Sequence, residues 1–186
     1  MRYASICNLS FSELKEQFPI VGRGSSRIVF DLSGGTVLKM VRVSAKGQIQ
    51  HETELELHHY AQDWTHNRLC PILHYSNDKI ICRKAIPLNT PYHRLSPELI
   101  PIFRRMRVRL HDFELIYREG RRTEGLSEPY EKLINLALYQ DIECLISNFC
   151  LLPGDLFKRS SWGYWRKKFV LIDYGLKKND FVTLYA

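Results

Sequence analysis

The stretch that decides the fold is VGRGSSRIVFDLSGGTVLKM, residues Val21 to Met40. Two β-branched runs, RIVFDL from Arg27 and TVLKMVRV from Thr36, flank Ser33-Gly34-Gly35, which is a hairpin signal. Gly22 and Gly24 precede the first run, with Ser25 and Ser26 beside them. Glycines in such a turn let backbone N–H groups approach phosphate oxygens with no Cβ in the way. A Gly-x-Gly pair alone is equally an ordinary turn between strands. Lys39 changes that weighing. It is flanked by Val37, Leu38, Met40 and Val41, inside an apolar strand, where an ammonium must snorkel to water or meet an anion.

Downstream, GQIQHETELELHHYAQDW has no breaker after Gly47 and carries Ile49, Leu57, Tyr60, Ala61 and Trp64 at helical spacing. Of its acids, Glu52 and Glu56 share one face, whereas Glu54 points elsewhere and is the carboxylate to turn inward and orient Lys39. Upstream, SFSELKEQF reads as a short helix capped by Ser10 or Ser12. PILHYSNDKIICRKAI gives two strands around Ser76-Asn77-Asp78, and IPLNTPYHRLSP is the one linker-like segment. A long helix follows from the Ser96-Pro97 start signal to Gly120. EPYEKLINLALYQDIECLISNF reads as a single amphipathic helix, before LLPGD, a basic turn and the closing strand FVLID. That strand ends on Asp173, either a cap for the next turn or a ligand for something charged. The fold class expected is α+β.

At 186 residues, 45% of them apolar, the chain is one domain or two small lobes with enough mass for a core. No apolar run approaches the ~18 residues a membrane span needs. The first residues, MRYASICNLSFSELKEQF, lack a signal-peptide core, and the five scattered cysteines read as free buried thiols. Both point to a cytoplasmic protein. The seven histidines, His58 and His59 included, show no metal spacing. A net charge of +7 favours an acidic partner: nucleotide, nucleic acid or protein. The excess gathers in FRRMRVRL (Phe103 to Leu110), read as a solvated helix face, and in KRSSWGYWRKK (Lys158 to Lys168). The latter interleaves Trp162, Tyr164 and Trp165 with cations, as a nucleic-acid platform would, or a twisted hairpin covering a core.

In this order, a Gly-rich hairpin, a strand lysine, a helix glutamate and a late Asp-aromatic-Gly resemble the protein-kinase-like fold. The wording GRGSSRIVF, VLKMV, QHETELE and LIDYGL is similar to that of short kinase-like proteins of phages and bacterial genomes. In those, GSSR stands where a third glycine would be and IDYG replaces DFG. The resemblance implies an antiparallel β N-lobe with one helix over 1–86, a hinge over 87–95, and a truncated, mainly helical C-lobe over 96–186. It implies ATP and Mg2+, with Gly22, Gly24, Ser25 and Ser26 over the phosphates and Lys39 and Glu54 as the positioning pair. Asp155, eighteen residues before Asp173, would accept the substrate hydroxyl proton, and Asp173 would hold magnesium. Gly154-Asp155-Leu156 also resembles the His-Gly-Asp loop of aminoglycoside and choline kinases, with Pro153 in place of histidine.

Three departures accompany the resemblance. Arg27 stands where the third glycine would be. Ser160 occupies the position of the asparagine that holds the second metal, and a hydroxyl is a poorer ligand than an amide carbonyl. The eleven residues after Gly175 leave no room for the helices that present peptides in ordinary protein kinases, so a protein substrate would dock on the basic second half. The function expected is a minimal ATP-dependent phosphotransferase acting on a hydroxyl, foremost of a protein. A pseudokinase that grips a protein partner is the alternative, and nucleic-acid binding the third reading.

Overall fold

The hairpin around Ser33 lies at the centre of the larger of two antiparallel sheets in a mixed α+β architecture. The computed structural model describes residues 3–42, 44–60, 68–120 and 124–185. Two short helices lead, α1 (Tyr3–Cys7), which the sequence reading does not anticipate, and α2 (Phe11–Gln17). Ser10 caps α2 in a reciprocal box with Glu13, satisfying N–H groups that would otherwise be orphaned. Strands β1 (Ile20–Arg23), β2 (Arg27–Asp31), β3 (Thr36–Val41), β4 (Ile72–Tyr75) and β5 (Lys79–Arg83) form one sheet in the order β1-β2-β3-β5-β4. The β2–β3 register sets Val29 opposite Lys39. Ser33, Gly34 and Gly35 all adopt positive φ (66°, 58° and 74°), a run that two glycines make affordable at the turn.

Helix α3 (Ala45–Tyr60) crosses this sheet, and its continuation through Ala61 to Trp64 lies outside the described residues. The apolar periodicity read for it is only partly realised. Leu57 is buried, but Ile49 is half-buried and Tyr60 exposed. The buried face is instead largely polar: Gln50, His51, Thr53 and Glu54. Its partners explain this, because the cationic side chains of β2 and β3 meet it. Gly47, in the first turn, lies so close to the sheet that a Cβ would sit 2.8 Å from the carbonyls of both Arg42 and Ser26.

The second sheet joins β6 (Ile86–Pro87), β7 (Trp162–Trp165) and β8 (Lys168–Leu171). The basic-aromatic segment is therefore a hairpin. Trp162 is fully buried, Tyr164 packs on Phe103 and Phe169, and Trp165 is flanked by Arg166 and Lys168. The linker-like segment is braced: Leu88 N–H donates to Trp162 O, and Arg107 donates to the carbonyls of Leu88 and Thr90. Just before it, Lys84 is fastened to the large sheet through its N–H to Gly35 O and its ammonium to Asp31.

Helix α4 (Leu99–Glu119) ends at Gly120 as read, but Ser96 does not cap it, donating instead to the Glu98 carboxylate. Arg104 and Arg105 are exposed, while Arg107 and Arg109 are half-buried, so only part of the basic run is a solvated face. The single helix expected over residues 128–149 is broken into α5 (Tyr130–Ile134) and α6 (Ala137–Phe149). Asn135 turns its amide back onto Glu131 O, and Leu136 is extended (ψ 130°). The break lets Leu133 and the Ile142/Leu145 face enter one core with Phe103, Phe113, Trp162 and Tyr174. A short helix α7 (Pro153–Leu156) and a final α8 (Lys178–Tyr185) complete the chain. The thiols are free, as read, but not uniformly buried: Cys144 is intermediate and Cys150 exposed. Among the described residues no helix is long and apolar enough to cross a membrane.

The close approach at Gly47 gives a direct test. Gly47→Ala should cost about 1–3 kcal/mol in urea unfolding through overpacking. Gly154→Ala, whose Cβ would meet nothing within 4 Å, should be near neutral.

Candidate functional site

Glu54 is the hub. One carboxylate oxygen accepts from Lys39 Nζ on β3, and the other from an Arg27 guanidinium nitrogen on β2. Arg27 also donates to Gln50 O at 2.7 Å, and Lys39 Nζ to Ile172 O at 2.7 Å. Glu54 is 1% exposed and the two cations 7% each, so this is an ion triad held away from water. Burial pushes the Glu54 carboxyl up, but Arg27 and Lys39 more than offset it and hold it below its usual range. Burial alone would lower the Lys39 ammonium, yet the carboxylate beside it leaves it raised, and Arg27 behaves likewise. Two cations against one anion leave the triad with one surplus positive charge.

That surplus faces a cavity of about 340 Å³ beneath the β1–β2 hairpin. Val21, Val29, Val37, Cys82, Ala85 and Ile172 make its apolar wall. Lys39, Arg27, Ser160 and Asp173 make its polar end, and Arg23, Arg83 and Lys84 also line it, a mixed composition typical of small-ligand sites. Gly22 pairs with Val29 in the ladder, and Gly24 spends its N–H on Arg27 O at 2.9 Å, so Gly24 does not present the free amide its sequence context suggests. At the loop tip, the N–H groups of Ser25 and Ser26 meet no protein acceptor among the described residues.

Asp155 and Asp173 reach the cleft from different elements. Asp155 lies in α7, and Asp173 follows the end of β8. Ser161 joins them: its hydroxyl donates to Asp155 O at 2.7 Å, and its carbonyl accepts from Ile172 N–H and Asp173 N–H. Gly175, at φ +70°, completes the bracket, since a Cβ there would lie 2.5 Å from Asp155 Oδ2. Lys158 pairs with Asp155 Oδ1 at 2.5 Å, whereas the Asp173 carboxylate makes no hydrogen bond or ion pair among the described residues and acts only through its charge on Arg27. Tyr174, between the acid and the glycine, is buried in the core, its hydroxyl without a hydrogen-bond partner among the described residues and raised well above its usual pKa by burial.

A second hollow of about 290 Å³ shares Gly24, Ser26, Ser160 and Asp173 with the first and adds Ser25 and Asp155. A third, of about 590 Å³, shares Asp155 and Lys158 with the second. The expected residues Gly22, Gly24, Ser25, Ser26, Lys39, Asp155, Ser160 and Asp173 thus line one trough, with Glu54 behind Lys39. Arg27 and Ser161 were missed, and Gly175 was read only as part of the Asp-aromatic-Gly stretch, with no role of its own. Arg27 carried a signal, a cation opening an apolar strand, to which the reasoning used for Lys39 applies equally. Among the described residues no group of three or more His, Cys, Asp or Glu is arranged to hold a metal.

No family model matches the chain, and no curated protein matches it. Among the solved structures that match is the streptomycin-ATP-APH(2")-IIa ternary complex, at 15% identity and a TM-score of 0.40, covering 95% of this chain and 76% of that one. At that score the likeness adds nothing to the geometry above.

Glu54→Gln leaves two buried cations without a counter-charge and should cost about 3–5 kcal/mol at neutral pH. Because the folded carboxyl lies below its ordinary 4.5, its contribution is present above that pH and is lost as pH falls through the folded value. Denaturant unfolding of both proteins should show the gap between them shrinking below about pH 4.5.

Proposed function

We propose that the chain is a minimal ATP-dependent phosphotransferase of the protein-kinase-like type, acting on a hydroxyl, foremost that of a protein. The observation that carries this reading is the surplus cation of the Arg27–Glu54–Lys39 triad, set at the polar end of an apolar-walled cavity, with the unpaired carboxylate of Asp173 lining the same end. A nucleotide fits such a division, its base against Val29, Val37 and Ala85 and its phosphates toward Lys39. The free N–H groups of Ser25 and Ser26 support the loop tip, rather than Gly22 and Gly24, as the phosphate-facing part. In this reading residues 1–86 and 96–186 act as the two lobes and 87–95 as the braced hinge.

Asp155 has the position for the proton acceptor. As the substrate oxygen forms its bond to the terminal phosphorus, the hydroxyl proton passes to the Asp155 carboxylate, and the bond to the leaving nucleoside diphosphate breaks. Lys39 orients the phosphates and offsets their charge, and the hydroxyl and carbonyl of Ser161 keep Asp155 and Asp173 in register. The oxygen donors suit a hard divalent cation: the Asp173 carboxylate accepts no side-chain hydrogen bond among the described residues, and Ser160 adds a hydroxyl to the same cavity. Mg2+ bound there would offset charge on the phosphates. Ser160 in place of an amide ligand favours a second reading, a pseudokinase that keeps nucleotide and grips a protein. Nucleic-acid binding has less to support it, because the hairpin buries Trp162 and packs Tyr164 into the core.

ATP with Mg2+ should raise the Tm of the wild type, and phosphate transfer should drop at least ~10²-fold in Lys39→Ala and Asp173→Asn. Lys39→Ala should remain folded, since Arg27 still neutralises Glu54. Equal behaviour of wild type and both variants would sink the enzyme reading. A thermal shift without turnover would favour the pseudokinase.

A further inference from the structure

Away from the cleft, a separate hollow of about 390 Å³ opens between α4, the start of α6 and β8. Its apolar part includes Met106, Leu138 and Phe169, and its rim carries three guanidinium groups, Arg68, Arg105 and Arg109. Arg68 engages the buried Asp141 through Nε at 2.9 Å. Arg109 engages Glu128 through Nη2 at 3.2 Å, and its Nε–H is buried with no acceptor among the described residues. Arg105 is exposed and has no counter-ion among the described residues. Each guanidinium offers five N–H donors in a planar fork, so most of these donors have no protein acceptor among the described residues.

Helix α6 begins at the same hollow. Leu136 precedes it with no side-chain cap, and the N–H groups of Ala137 and Leu138 donate to no protein group among the described residues. Both residues line the hollow, so the positive end of a thirteen-residue helix adds to the arginines. This end exists only because Asn135 and Leu136 interrupt what would otherwise be one helix. Three cations drawn from two segments and an uncapped helix start converge on one cavity with an apolar floor.

We propose that this hollow binds an oxyanion-headed amphiphile, a single phosphate or carboxylate group carried on an apolar body. The head takes the arginine forks and the α6 amides, and the body lies on Phe169 and Met106. The site is independent of the nucleotide reading of the cleft.

Titration of the isotope-labelled full chain with phenyl phosphate, phenylacetate, inorganic phosphate and benzyl alcohol tests this. Both aromatic anions should shift the Ala137 and Leu138 amide resonances saturably. Each should bind about tenfold or more tightly than benzyl alcohol, and phenyl phosphate should likewise exceed inorganic phosphate. Preference between the two aromatic anions identifies the head group. Arg105→Ala, at an exposed position, should weaken both about fivefold or more with an unchanged spectrum elsewhere. Equal binding of the neutral alcohol, shifts absent from Ala137 and Leu138, or unaltered affinity in Arg105→Ala would each overturn the proposal.

Discussion

One buried carboxylate organises the molecule. Glu54 can be ionised in the interior only because two cations reach it, and those cations can be buried only because it is there. The constraint acts on three elements together. It draws α3 down with a polar face, sets where the β1–β2 loop turns back at Arg27, and holds Lys39 inward on β3. Through Lys39 and Ile172 O it also touches the start of the Asp173 segment, 133 positions away in the chain.

The acidic half of the cleft depends on backbone more than on side-chain pairing. Ser161 uses its hydroxyl and its carbonyl to bind the segments bearing Asp155 and Asp173, and Gly175 makes room for the first beside the second. Asp155 has Lys158, and Asp173 remains open to the trough. A basic triad beside a carboxylate with free capacity suits a ligand that carries negative charge together with a cation.

Much of this was legible in the chain where local rules act alone. The Ser33-Gly34-Gly35 hairpin, the Ser10 cap, the Gly120 stop and the inward turn of Glu54 follow from φ preference, capping and helical periodicity. The rest depends on contacts between distant residues. Arg27 looked like a replaced glycine because its partner lies 27 residues on, and Gly24 looked available because the carbonyl that takes its N–H belongs to the turn itself. The break at Asn135 hid inside an apolar pattern that is continuous in sequence. It appears only when two faces must enter the same core from different angles.

The fastening on either side of Ala85 has a mechanical consequence. Lys84 is tied to the large sheet at Gly35 and Asp31, while Ile86, Pro87 and Leu88 are tied to β7. Along this crossing, a single residue joins two anchored pieces. Any tilt of one against the other here must be absorbed by the torsions next to Ala85, whose methyl group also lines the cavity and packs against Gly163. A molecule seated on that wall therefore rests on the one residue that separates the two anchors.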